Sequence, residues 1–312
     1  MPRPSAILLF LACVSTTAVF AQTNPTQAVD RAELLRNQQP TLREETSSGL
    51  QSEGVAPSSP NDPDLGKQAL LKRAEEYQPW TIVVSAPISY TSNVALSSTN
   101  EQGDVLFTPS AAFSYAPRLT RTLYANFVLA QQMFYYRGFE EFDFGSFDAR
   151  AGLSYSIPQA HDLILRGSYD FNRLTNEHFT EFFNSHTLDF SAEVPFRIGR
   201  AQQISVGADL AFNLASDPAP PGRNEYSVFA SYTAALARNF TINGVFRIAA
   251  RDYTDVDRLD VSEIIALNAT YQVAQWLTLN AVFSYAHNGS DHDVFDYNVI
   301  NTGAGVSAVF RF

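Results

Sequence analysis

From Trp80 onward the chain alternates between apolar and polar side chains with a period of two. In Phe147-Asp148-Ala149-Arg150-Ala151-Gly152-Leu153-Ser154-Tyr155-Ser156-Ile157 one face carries Phe, Ala, Ala, Leu, Tyr and Ile, and the other carries Asp, Arg, Gly, Ser and Ser. Residues 187–194 and 204–214 repeat the pattern. Such alternation predicts strands with a single apolar face. Strands of soluble sheets usually run about five or six residues, whereas several of these reach roughly ten, the length a tilted strand needs to cross a bilayer.

About twelve such segments can be drawn, near 81–92, 105–116, 122–136, 146–157, 163–173, 185–197, 203–214, 225–237, 240–253, 262–273, 276–287 and 298–312. Their connections alternate in kind. After the even-numbered segments they are tight: 117–120, 158–161, 199–202, 238–239 and 274–275. After the odd-numbered ones they are mostly longer and polar, as in 216–224. Short periplasmic turns facing long external loops are the asymmetry of an outer-membrane barrel. An even strand number leaves both barrel ends on the periplasmic side. The predicted fold is all-β: a closed antiparallel up-and-down transmembrane β-barrel over residues 80–312, with a disordered N-terminal extension.

Before Trp80 the period of two is absent. Arg3, the apolar run Ala6 to Val14 and Val19-Phe20-Ala21 give residues 1–21 the form of a signal peptide cleaved before Gln22. Cys13 is the only cysteine, so the mature chain would hold neither a disulfide nor a cysteine zinc site. Residues 22–79 read as a periplasmic extension. Its first part, 22–60, is polar, rich in Gln, Thr, Ser, Pro and Glu and free of aromatics, which predicts disorder. Asp62-Pro63-Asp64 carries a helix-start signal, and a short amphipathic helix near 63–76 would end before Pro79.

Composition agrees with strands that are apolar on one face. The 24 Phe and 14 Tyr accompany only 17% charged residues, yet the mean hydropathy is slightly negative, which argues against a helical membrane protein. No segment supplies the roughly 18 consecutive apolar residues of a membrane helix. The net charge of −11 argues against nucleic acid as a partner of the barrel or its loops.

The chain ends Val306-Ser307-Ala308-Val309-Phe310-Arg311-Phe312. Terminal Phe310 and Phe312 in alternating register resemble the C-terminal assembly signal of bacterial outer-membrane proteins. With the signal peptide and the turn asymmetry, residues 80–312 resemble the β-barrel porin families known mostly from genome sequences. That resemblance implies a Gram-negative outer-membrane location. It also implies contact with outer-membrane lipids and lipopolysaccharide, and handling by the barrel-assembly machinery.

The inward phase of the predicted strands concentrates charge. Asp148 and Arg150 fall on the fourth segment, Arg166 and Asp170 on the fifth, Asp189 and Glu193 on the sixth, Asp209 on the seventh, and Arg247 and Arg251 farther round. Two readings follow: an aqueous pore with an acidic wall facing arginines, or a salt-bridge network that fills a narrow barrel. Glu263 falls on the outward phase at a strand end, as a rim residue. Small inward residues such as Gly152, Ser168, Ser191, Gly207, Gly303 and Gly305 leave space for water, although an external loop or the 65–76 helix could fold inward and block it. The loop aromatics Phe139, Phe142, Phe144, Phe179, Phe182 and Phe183 read either as a surface-interaction patch or, as favoured here, as an external interface girdle.

The acidic loops around 140–143, 255–260 and 291–296 match no recognisable calcium loop and read as solvated, so no metal or cofactor is assigned. Hydrolase chemistry is set aside. Outer-membrane phospholipases resemble this chain in strand number and use a Ser–His pair, and omptin-type proteases use Asp–Asp and His–Asp pairs. Ser185 and His186 would point to opposite faces of one strand, and neither family's motif is recognisable. The favoured function is passive diffusion of small hydrophilic solutes, without catalysis; the alternative is a structural or surface-interaction barrel. Removing Phe312 should impair assembly more than removing residues 22–60, measured as the folded fraction in outer-membrane extracts; the reverse ranking would overturn this division of the chain.

Overall fold

The computed structural model of the chain describes residues 29–34, 78–198 and 201–312. Its strands are β1 (Trp80–Thr91), β2 (Asp104–Phe107 and Ser110–Tyr115), β3 (Leu123–Tyr136), β4 (Phe144–Ile157), β5 (Leu163–Asn176), β6 (Glu181–Ile198), β7 (Gln202–Asp217), β8 (Arg223–Ala237), β9 (Phe240–Tyr253), β10 (Leu259–Ala274), β11 (Leu277–Ser290) and β12 (Tyr297–Arg311). Strand β2 is broken at Thr108-Pro109 because proline brings no N–H to a ladder. Both halves still pair with β1 and with β3. Every strand is antiparallel to its chain neighbour, and β1 pairs with β12 from Thr81↔Arg311 to Thr91↔Asn301, closing a barrel of twelve strands.

Closure is forced by solvent. Backbone amides and carbonyls in hydrocarbon have no water to bond, so an open edge would be costly along its whole length. At the seam Phe312 N donates to Trp80 O at 3.0 Å and Trp80 N donates back to Phe312 O at 3.3 Å. The terminal residue thus completes the ladder.

The predicted segments stand where alternation placed them, but the observed strands run farther at the end opposite Trp80 and Phe312. Ser216, Asp217 and Arg223, expected in a loop, lie in β7 and β8, and Phe182 and Phe183 lie in β6. The connections at this loop end shrink accordingly to 137–143, 177–180, 218–222, 254–258 and 291–296. Cross-strand pairing continues beyond the point where apolar alternation stops, because ladder bonds do not require an apolar face. Among the described connections only residues 92–103 form a long loop. It folds inward, burying Asn93, Val94 and Leu96. Asn93 Nδ2 holds it there by donating to Asn298 O at 3.0 Å.

The outward faces form an apolar band including Ile82, Val84, Leu153, Leu165, Phe190, Val228, Leu267 and Leu279, all exposed. A continuous exposed apolar belt is what a lipid solvent requires. Aromatics border it. At the turn end Trp80 stacks on Tyr115 at 3.8 Å and Trp276 on Phe310 at 6.3 Å. Toward the loop end Tyr90, Phe107, Tyr135, Tyr226 and Tyr285 face outward. Of the loop aromatics expected to form a girdle, Phe144 and Phe183 are instead buried inside, with Phe139, Phe142 and Phe182 packed against them; Phe179 is exposed. Phe144 starts β4 in the phase of Ser146 and Asp148, which directs it to the lumen.

Within the stretch read as disordered, residues 29–34 form a helix, and Asp30, Arg31, Ala32 and Leu34 are buried. This helix is a difference from the sequence expectation, which placed no element there. A polar stretch with an isolated apolar residue every few positions carries no strong helical stripe. It is held from opposite walls: Ala32 joins a cluster of Val94, Leu106, Phe134, Tyr136, Phe144, Leu174 and Phe183. Leu34 joins another, of Leu96, Ile264, Ala286, Tyr297 and Val299. The predicted signal peptide and the predicted 63–76 helix lie outside the described residues.

The register makes a direct prediction. Phe190 is 48% exposed on the outward face, while Ser191 stands opposite Asp209. Phe190→Arg should destabilise the barrel by about 2–4 kcal/mol, as for a charge near the bilayer midplane. Ser191→Arg should cost far less because the position faces the polar lumen, between Asp209 on one neighbouring strand and Arg166 on the other. Urea unfolding in lipid vesicles measures both; equal costs would reject the register.

Candidate functional site: the charged lumen

Each inward charge expected from the sequence lies on the inner wall, and the antiparallel register sets most of them beside a partner. Arg150 and Asp170 are directly opposite, and Arg150 Nε donates to Asp170 Oδ2 at 2.9 Å. Arg166 Nη1 reaches Glu193 Oε2 at 3.0 Å across the next pair of strands. Asp148 accepts from Asn172 Nδ2 at 2.8 Å and from Ser146 Oγ at 3.2 Å. Asp209 accepts from Ser227 Oγ at 3.1 Å. The expected acidic wall is therefore interleaved with arginines and amides, because directly opposed side chains pair before facing walls can act on each other. Arg150, Arg166, Asp189 and Glu193 are only partly buried, so this stretch of wall remains accessible to water.

The basic wall is different. Arg251 stands opposite Glu225 and donates from Nε to Glu225 Oε2 at 3.0 Å. Arg247 Nη2 pairs with the other oxygen of Glu225, and Arg247 Nε donates to Ser227 Oγ at 3.1 Å. Arg223, beside Tyr253 Oη at 2.8 Å, completes a patch of three guanidiniums around one strand carboxylate. The helix supplies the rest. Asp30 and Glu33 both pair with Arg223, and Glu33 Oε1 lies 3.1 Å from Arg251 Nη2 and 3.8 Å from Arg247 Nη1. Arg31, on the same helix, sits 4.5 Å above the ring of Phe142 and donates to Val94 O at 3.4 Å.

Sequence reasoning missed Glu225, Arg223, Asp30, Glu33, Arg258 and Asp260. Glu225 was legible, since it shares the phase of Ser227 and Phe229 on β8. Asp260 was read as part of a solvated loop but is fully buried in the inward phase of β10. There Arg258 Nε donates to it at 2.8 Å and Asn288 Nδ2 at 3.1 Å, and the Arg258 guanidinium stacks on Phe295 at 3.5 Å. The helix carboxylates carried no usable signal, because nothing in a polar stretch marks which acids will be buried.

The inner glycines also depart from expectation. A Cβ on Gly207 would meet the Phe229 ring at 2.5 Å, and one on Gly303 would meet Ser89 Cβ at 2.6 Å. At these positions small size admits a neighbouring residue rather than water. Glu263 is exposed on the outward face near the loop end, as expected of a rim residue. His186 points outward to bond Tyr169, away from Ser185. Among the described residues no group of His, Cys, Asp and Glu side chains is arranged to hold a metal ion.

Closed β-architecture, an apolar outer band and a polar inner wall define an outer-membrane porin-like barrel. Residues 179–310 match the family described as "Putative beta-barrel porin 2", in accord with the resemblance drawn from the sequence. An outer-membrane channel from Pseudomonas putida F1 is similar in structure, with a TM-score of 0.53 at 12% identity, over 75% of this chain and 96% of that one. The KdgM porin aligns with a TM-score of 0.41 at 8% identity, covering 73% of this chain and 99% of its own. The translocator domain of the autotransporter NalP from Neisseria meningitidis aligns at 0.43 and 10% identity, covering 85% and 97%. Likeness at such identities is of fold alone. No curated protein sequence matches the chain.

The electrostatics of the helix predict its behaviour. Burial alone would raise the Glu33 pKa, but Arg251, Arg223 and Arg247 outweigh it and hold the carboxyl well below the usual 4.5. A carboxylate depressed on docking stabilises the docked state above its free pKa and loses that contribution as pH falls through the docked value. The helix should stay seated from neutral pH to about pH 5 and be released only in stronger acid. Glu33→Gln, which leaves buried guanidiniums uncompensated, should weaken docking by about 3–5 kcal/mol. Trypsin cleavage after buried Arg31 reads both effects: the wild type should resist at neutral pH and the variant should be cut. Equal resistance would show that the ion pairs do not seat the helix.

Proposed function

We propose that the protein is a gated outer-membrane channel that passes small hydrophilic solutes by passive diffusion, with the 29–34 helix and the 92–103 loop closing its external mouth. The observation that carries this reading is the division of the lumen. The β4–β7 wall presents partly exposed paired charges. The mouth is shut by a helix that belongs to no strand of the barrel. A strand-built obstruction would be permanent, whereas a helix held by ion pairs and by the apolar contacts of Val29, Ala32 and Leu34 can leave without opening any ladder. Paired charges along a wet wall would set ion preference, since fixed charge in a low-dielectric passage controls the local ion concentration.

A second reading, a structural or surface-interaction barrel, is favoured by the apolar packing of Phe134, Phe144, Leu174 and Phe183 at the mouth. Single-channel recording separates the two. Full-length protein should show rare or small openings, and Asp30→Asn with Glu33→Gln should raise the open fraction several-fold. In that open state neutralising Arg247 and Arg251 should shift permeability toward cations, and neutralising Asp189 and Asp209 toward anions. Both shifts should shrink between 0.1 M and 1 M salt, as the screening length falls from about 10 to 3 Å. A folded barrel silent in every variant would reject the channel in favour of the structural reading.

A further inference from the structure

We propose that Arg223, Arg247 and Arg251 form a binding site for small dicarboxylate solutes, and that the protein's own Asp30 and Glu33 occupy it in the closed state. This rests on the channel reading for its physiological sense, though not for its chemistry. Three guanidiniums converge on the inner wall with Glu225 as their strand-borne carboxylate, so without the helix the patch carries excess positive charge. The wall therefore presents a site whose charge is balanced only when two further carboxylates arrive. In the closed state they come from the chain: Asp30 on one nitrogen of Arg223, Glu33 on the other and on Arg251.

Two further observations mark this as a site rather than a structural ion-pair network. Arg247 is nine-tenths buried, and its Nη1 has no hydrogen-bond partner among the described residues, with Glu33 Oε1 at 3.8 Å. The helix thus satisfies the patch incompletely: Glu33 approaches this buried donor without reaching hydrogen-bond distance, which a better-fitting carboxylate would do. Secondly, Arg223 is backed by Tyr253, through its hydroxyl at 2.8 Å and its ring at 5.5 Å, and Arg247 by Ser227, so these guanidiniums are held by strand residues and do not depend on the helix for position. A preorganised planar fork recognises a carboxylate through parallel hydrogen bonds. A solute with two carboxylates then competes with the helix for the same donors, and binding and opening become one equilibrium.

The test is calorimetric titration of the folded, full-length protein with succinate, its uncharged diamide and inorganic phosphate. Asp30→Asn with Glu33→Gln removes the internal competitor and should tighten succinate binding at least tenfold over wild type, with no binding of the diamide and weaker binding of phosphate. Adding Arg251→Gln should abolish the gain; Arg247→Gln, which leaves the Arg251–Glu225 pair intact, serves if that variant does not fold. Unchanged succinate affinity on removing the acids, a gain that survives loss of the arginines, or phosphate binding as tightly as succinate would each overturn the proposal. Because heat rather than current is measured, a barrel that conducts but binds no succinate refutes the site alone. One that binds succinate but never conducts refutes the channel alone.

Discussion

The demand that every backbone amide and carbonyl in the hydrocarbon find a partner within the chain governs the rest of this molecule. It requires β1 to meet β12, and with that one seam the outward and inward phases of every strand are decided. Side chains that alternate along a strand become, in a closed sheet, a lipid-facing surface and an enclosed wall. The enclosed wall then faces a second demand. Charges placed there need partners or water, and the register answers it by setting Arg150 against Asp170 and Arg251 against Glu225.

The two walls meet this demand in different ways. Along β4–β7 acids and arginines lie on adjacent strands, so pairing is local and water reaches much of it. Around β8 and β9 three arginines meet one strand acid, and the balance comes from residues 190 to 218 positions earlier in the chain. Where the helix docks, Ala32 and Leu34 join apolar clusters on opposing walls. The ion pairs of Glu33 are made beside these clusters, to arginines whose side chains are nine-tenths or more buried. That environment strengthens the attraction and makes loss of either partner costly.

Much of this was legible in the sequence. Strand alternation over 147–157, 187–194 and 204–214 and the tight turns together point to the closed barrel, because lipid leaves few alternatives to a pattern of period two. The inward placement of Asp148, Arg150, Asp189 and Arg251 followed from phase alone. Strand ends were less legible, since β6 and β7 continue into residues with no apolar alternation. Phe144 and Phe183 were misplaced for a related reason: aromatics near a loop look like an interface belt unless the strand's phase is carried through to its last residue. The helix was not legible. It lies in a polar stretch without a clear apolar period, and Asp30 and Glu33 acquire their role only from Arg223, Arg247 and Arg251 on distant strands.

The helix has a consequence for the order of events in assembly. Its seat is made by β2 to β6 on one side, by β8 and β9 through their arginines, and by β10 to β12 through Ile264, Ala286 and Val299. No partial sheet contains all of these walls, and the last of them lies at the C-terminal end of the chain. A segment that leaves the ribosome among the first can therefore be seated only among the last, after the seam has joined. A docked helix is then a signature of a completed barrel, and a barrel arrested before closure would display its acidic N-terminal residues instead of hiding them.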